Sequence, residues 1–162
     1  MATATKNQFK REILKAETNE KVTGILQGNL TNLIDLALLM KQAHWNVVGP
    51  NFRSIHLHLD EIIATVRDAS DEVAERIAAL GIPADGRSST VAEASELESY
   101  PRDFVNVKET ITRVADATKT TIDSLRDAIA KLGDLDPISE DMLIAISGPM
   151  EKHLWMLQAQ EG

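Results

Sequence analysis

The side chains in this sequence best suited to metal chemistry are four histidines and two pairs of residues at helical spacing. The histidines are His44, His56, His58 and His153. His56 and Asp60 stand four residues apart, as do Asp71 and Glu75, so each pair shares one face of a helix. At about 100° per residue, all four positions fall on one sector beside the apolar stripe. One helix cannot bring both pairs to one ion. His56 and Asp71 are separated by ~22 Å of helical rise, whereas coordination bonds are about 2.0–2.6 Å long. The positions are symmetric about a point between Thr65 and Val66: 56 mirrors 75, and 60 mirrors 71. An antiparallel contact of this helix with its own copy sets His56 and Asp60 of one chain against Glu75 and Asp71 of the other, twice per dimer. Small Ala64 and Ala69 near the centre permit close approach, and His44 reaches the same end through a short turn. Two imidazoles and three carboxylates make a nitrogen–oxygen shell that suits iron. Taken singly, these residues also fit plainer roles. Asp71 and Glu75 fit a solvated helix face, His56 and Asp60 an ion pair, and His44 a structural histidine. His58, roughly 200° around the helix from His56, belongs to another surface. His153 has no evident ligand partner and reads as structural or solvent-facing.

The elements that position these residues are helices. Over residues 17–46, Val22, Ile25, Leu26, Leu30, Leu33, Ile34, Ala37 and Met40 recur at three- and four-residue spacing. Gly49-Pro50 ends that segment, and Asn51 is placed to cap the next. Residues 51–80 carry Phe52, Ile55, Leu59, Ile62, Val66, Val73 and Ile77 on one stripe, stopped by Gly81 and Pro83. Residues 81–100 break the pattern and form a long connection, with one short helix capped near Ser89 or Thr90. A third long helix is expected from Pro101 to Leu132, with Phe104, Val107, Ile111 and Val114 inward. Asp136-Pro137 opens a fourth, running to about Gln160 and kinked at Gly148-Pro149. No strand pattern competes. Short turns make each sequential helix pair antiparallel, while the long middle connection crosses the bundle from end to end. The expected fold is all-α: a ferritin-like four-helix bundle with a long crossover between helices two and three. A plain up-and-down bundle does not need twenty connecting residues. No Glu-x-x-His pair occurs, so the usual di-iron site inside one four-helix core is not expected.

Composition bounds the function. The 162 residues are 43% hydrophobic and 26% charged, which suits one globular domain. With no cysteine, disulfide scaffolds, zinc ribbons, iron–sulfur sites and thiol nucleophiles are excluded. Residues 33–40, the longest apolar run, include Asp35 and are too short to span a bilayer. No secretory signal is visible, so the expected location is cytoplasmic, with nucleoid association if DNA is bound. The net charge of −8 attracts cations and does not describe a nucleic-acid-binding surface. Lys6, Lys10, Arg11 and Lys15 nevertheless crowd the first fifteen residues beside one acid, Glu12. Residues 1–16 are expected as a partly flexible tail and 17–162 as the single bundle domain.

The stretch KQAHWNVVGPNFRSIHLHLDE, followed by DASDEVAERIAALG, closely resembles the Dps family (DNA-binding protein from starved cells), the mini-ferritins. Its motif is a His-Trp at the end of the first helix, a second His twelve residues on, Asp four later, Asp eleven later and Glu four later. His44, His56, Asp60, Asp71 and Glu75 stand at those places. The similarity continues from SYPRDFVNVKE to KHLWMLQAQ. The resemblance implies a hollow homododecamer of 23 symmetry with ferroxidase centres at its two-fold interfaces. In such a centre His44, His56 and Asp60 come from one subunit, and Asp71 and Glu75 from its neighbour. Two irons are expected per centre. The implied activity is oxidation of Fe(II), commonly with hydrogen peroxide, and storage of ferric mineral, which protects DNA from radical damage. Trp45, next to His44, is a candidate electron donor, whereas Trp155 reads better as core or interface packing. The family's acidic pores map near Asp127, Asp134, Asp136, Glu140 and Asp141, an iron-entry route that competes with helix capping, above all at Asp136. A second implied function is DNA binding, for which the contacts would be Lys6, Lys10, Arg11 and Lys15.

Overall fold

The computed structural model describes residues 7–161. Four long helices carry the fold. They are α1 (Ala16–Asn46), α2 (Phe52–Ala79), α4 (Val107–Leu132) and α5 (Pro137–Gln158), with the short α3 (Ser88–Ala94) in the crossover. Helix α1 is central. It packs along α2 and against α4, and α3 lies on it, while α5 closes the bundle on α4 and α2. Leu26, Leu30, Leu33, Leu36 and Met40 of α1 meet Ile55, Leu59, Ile62 and Ile77 of α2, and Leu125 and Leu132 of α4, in one core. By length and composition α1 is apolar enough to cross a membrane, but much of its surface lies in this core. The expected all-α bundle with its long crossover is the observed one.

The turn from α1 to α2 fixes the angle at which the two histidine-bearing ends meet. Gly49 has φ 118° and Asn51 φ 63°. Asn51 occupies the N-cap position, yet its side chain makes no capping bond. Its carbonyl instead accepts from Ser54 and Ile55. At the other end of α2, Gly81 (φ 84°) closes a Schellman turn. Gly81 N–H donates to Ala78 at 2.9 Å, and Ile82 N–H to Ile77 at 3.3 Å.

The start of the third long helix differs from expectation. Pro101 does not open it; α4 begins at Val107, and Asn106 is the cap, accepting from Glu109 N–H at 3.0 Å. Ahead of it, β2 (Val105–Asn106) pairs in parallel with β1 (Val47–Val48), a two-residue bridge tying the crossover to the α1–α2 turn. This bridge holds residues 105–106 extended. Phe104, expected inward, is 76% exposed. Helix α5 continues through Gly148-Pro149 as one element and ends at Gln158.

Candidate metal centre

His44 lies in the last turn of α1 and His56 in the first turns of α2. They hold each other. His44 Nδ1 donates to the His56 carbonyl at 2.8 Å, and His56 Nδ1 donates to the His44 carbonyl at 2.8 Å. The rings stack with centroids 3.6 Å apart and 20° between planes, and Phe52 packs 4.9 Å from the His56 ring. A carbonyl can only accept, so both Nδ1 atoms carry the proton. In the neutral rings both Nε2 lone pairs are then left for a metal.

Asp60 stands one turn beyond His56. Its Oδ1 is 2.6 Å from Lys41 Nζ and 3.4 Å from His44 Nδ1. The hydrogen bond from Lys41 holds the Asp60 carboxyl below its usual range, with help from the two nearby imidazoles, against a smaller opposing effect of burial. The carboxylate therefore sits on the Nδ1 side of His44, tied to an ammonium. Sequence reasoning missed Lys41, although it lies three residues before His44 on the same face. Asp71 and Glu75 are exposed farther along α2. Among the described residues, no group of three or more His, Asp or Glu side chains in one chain is arranged to hold an ion. Within one chain the His56/Asp60 and Asp71/Glu75 pairs stand apart, as the spacing along α2 requires. Trp45, beside His44, is 65% exposed.

The acidic residues of the α4–α5 turn do not act alike. Asp136, assigned to an entry pore by the resemblance, is buried and ion-paired with Arg76 at 2.7 Å, and Ser139 also donates to it. Burial raises its pKa, but Ser139 and Arg76 together outweigh that and the net shift is downward. Its carboxylate is committed to joining α2 to α5. Asp127 approaches Lys131 at 3.5 Å. Asp134 and Asp141 are exposed, and Glu140 is half-buried near Gly133.

Of the basic residues near the N-terminus, Lys6 lies outside the described residues. Lys10, Arg11 and Lys15 are exposed. The segment that carries them is tied to the bundle. Gln8 N–H donates to Gly81 at 3.2 Å, Asn7 Nδ2 to Leu80 at 3.3 Å, and Leu14 packs on the core.

His153 is not solvent-facing: it is 9% exposed, between α5 and α2, with Nε2 2.9 Å from Thr65 Oγ1. His58, on the other side of α2 from the His56 site, has its ring centroid 5.8 Å from that of His153. Burial pushes both imidazoles below the ordinary histidine pKa. At His153 the His58 ring and Lys152 add to the shift, and Glu61 opposes it at both.

The ferritin-like domain model matches residues 24–161. A DNA protection during starvation protein of Mycolicibacterium smegmatis is 38% identical over 138 residues, 85% of this chain and 75% of that protein. The chain belongs to the Dps family of ferritin-like proteins. Another relative of this Dps chain is the fine tangled pili major subunit of Haemophilus ducreyi, 37% identical over 90% of this chain and 77% of its own length. The solved structure of Dps from Microbacterium arborescens, in a high iron form, superimposes with a TM-score of 0.86 at 34% identity, covering 92% of this chain and 97% of that one.

Proposed function

We propose that this Dps chain is a ferroxidase and iron store whose centre is completed across a two-fold axis. His44, His56 and Asp60 of one subunit face Asp71 and Glu75 of another in a dodecameric shell, with two ferrous ions bound per centre. The observation that carries the reading is the reciprocal His44–His56 bond pair. It leaves two Nε2 donors free on one chain, while the matching carboxylates stand ~22 Å of rise away on the same helix. Nitrogen and carboxylate donors suit ferrous iron, and the carboxylate charge favours the ferric product. Iron here is substrate.

Hydrogen peroxide is the proposed oxidant. Two Fe(II) ions each lose one electron, the O–O bond breaks, and two protons complete two waters. Holding both ions at one centre makes the two electrons available together, so no hydroxyl radical is released. The protein's part is positional. The fixed tautomers aim the imidazoles, and Asp60 must leave Lys41 to bind. Trp45, exposed beside His44, is positioned to supply an electron when only one ferrous ion is bound. Asp127, Asp134, Glu140 and Asp141 supply the negative field that draws Fe(II) inward; Asp136, paired with Arg76, does not. The proposed site of action is the cytoplasm.

The test is Fe(II) oxidation by peroxide, followed by iron counting on the isolated particle. Asp71→Asn/Glu75→Gln is expected to abolish saturable oxidation while leaving the fold intact. Unchanged kinetics in that variant would overturn the assignment. A second reading, DNA binding, draws on the exposure of Lys10, Arg11 and Lys15. A gel shift at low salt that disappears when residues 1–15 are removed supports it, and no shift at low salt ends it.

A further inference from the structure

A cleft of about 1230 Å³ opens between the first turns of α1, the strap of residues 7–14 and the start of the crossover, at the other end of α1 from His44. Its wall contains Asn19, which is only 4% exposed. Asn19 Nδ2 donates to the Leu80 carbonyl at 2.9 Å, and Leu80 is not part of that wall. The nitrogen end of the amide is thereby turned away and the oxygen end is left to the cleft. Among the described residues nothing donates to that Oδ1. A buried acceptor without a donor is costly and calls for an explanation. Asn7, on the strap, meets the same Leu80 carbonyl at 3.3 Å, so the strap lies directly over Asn19. Gln8 N–H adds a bond to Gly81 at 3.2 Å. Both bonds are long for their kind, and a small swing of Asn7 opens the way to Asn19.

The rest of the cleft joins negative charge to hydrocarbon. Glu12, Glu17, Glu20 and Asp85 line it, with Arg87 as its one guanidinium. Arg87 is committed to Asp85 at 2.6 Å, and Glu17 to Lys21 at 2.8 Å. Glu12 and Glu20 are exposed, and neither pairs with a cation among the described residues. Leu14, Ile77, Ile82 and Pro83 supply an apolar wall. Gly24 leaves part of the cleft bare, since a Cβ there meets nothing within 4 Å. The carboxylates do not converge as metal ligands: among the described residues no three are grouped to hold an ion. The charge therefore suits a cation that brings its own N–H donors and an apolar body.

We propose that this cleft binds a primary organic ammonium of the arylalkylamine class. The ammonium donates to Asn19 Oδ1 within the field of Glu12 and Glu20, and the hydrocarbon packs on Leu14 and Ile82. A concave, mostly apolar site with a few placed polar groups is the usual form of a small-molecule site. An occupant touching both Leu14 and Asn19 ties the strap to α1. None of these residues belongs to the proposed iron centre, so the two readings stand or fall separately.

The experiment is fluorine magnetic resonance of para-fluorophenethylammonium mixed with the assembled protein near neutral pH and low salt. Binding to so large a particle broadens the probe's line, and unlabelled phenethylammonium should restore it if the site is saturable. Para-fluorophenethyl alcohol, of nearly the same shape but uncharged, is the comparison probe. Wild type is expected to bind the ammonium at least about tenfold more tightly than the alcohol, the scale of a hydrogen bond to a charged group. Asn19→Leu is expected to remove most of that preference, and Glu12→Gln/Glu20→Gln to weaken the ammonium alone by about three- to tenfold. Fe(II) oxidation is expected to persist in both variants. No saturable broadening in wild type would overturn the proposal, and so would equal affinity for the two probes. Unchanged ammonium binding in the variants would do the same, since it would mark a diffuse attraction to an acidic surface. If Asn19→Leu fails to assemble, Glu12→Gln/Glu20→Gln, altered only at exposed side chains, decides the question alone.

Discussion

If the iron centre is shared between chains, two inactive chains must restore one another. His56→Gln removes a donor from the imidazole half, and Asp71→Asn/Glu75→Gln disables the carboxylate half. Each protein alone has no complete centre, because the ~22 Å of helix between the halves prevents one chain from closing on itself. Mixing the dissociated chains in equal amounts and reassembling them gives heterodimers in half of the pairs. Each heterodimer contains one centre with both defects and one with neither. About a quarter of the wild-type number of centres should therefore return. Initial rates of peroxide-driven Fe(II) oxidation, normalised to wild-type particles carried through the same procedure, measure that fraction. A reassembled mixture that stays at the level of its parents would refute the shared centre, because a site built within one chain cannot be rescued by a chain carrying a different defect. Sedimentation must show that the mixed particles have formed.

Other expectations follow from individual contacts. Lys41→Met removes the ammonium that holds Asp60 Oδ1 at 2.6 Å. Anaerobic Fe(II) titration should show binding tighter by about two- to five-fold, the scale of a half-exposed ion pair; equal or weaker binding counts against Lys41 as a competitor. Asp136→Asn breaks the buried pair with Arg76 and should cost about 2–4 kcal/mol in thermal or denaturant unfolding. Because the Asp136 carboxyl is held below its ordinary value, its stabilisation is present above the unfolded pKa of about 3.9 and is lost as pH falls through the folded one. The variant's acid limb should be flatter there. His153 has the opposite charge but the same direction of loss. Its folded pKa is also depressed, so below an unfolded pKa of about 6.5 the unfolded chain binds more protons and stability falls with pH. His153→Gln should weaken that dependence in unfolding measured from pH 7 to 5.

The long helices were legible because their apolar residues keep one period over many turns, as from Val22 to Met40. The beginning of α4 was not. Pro101 is a good first-turn residue and Phe104 has the right spacing, so local preference placed the start early. The Asn106 cap and the pairing of Val105 with Val47, 58 residues away in sequence, set the observed boundary. At the proposed iron half-site, the residue types and their symmetric spacing along α2 are visible in the chain. The Lys41 contact and the crossed His44–His56 bonds could not, because they depend on how the α1–α2 turn closes. Asp136 was recognisable as a cap position, but Arg76, its ion-pair partner 60 residues earlier, was not. For His153 the chain left a structural and a solvent-facing role open, because its burial depends on α5 packing on α2.

The crossed bonds between His44 and His56 also govern how substitutions at these positions must be interpreted. Each imidazole is anchored by the main chain beneath the other and stacked on its face, so losing one ring unmoors its neighbour. The deficit of either single replacement thus contains part of the other ligand's misalignment. In a double-mutant cycle the two losses should sum to more than the combined variant shows. Neither number alone measures what one nitrogen contributes to the proposed iron centre.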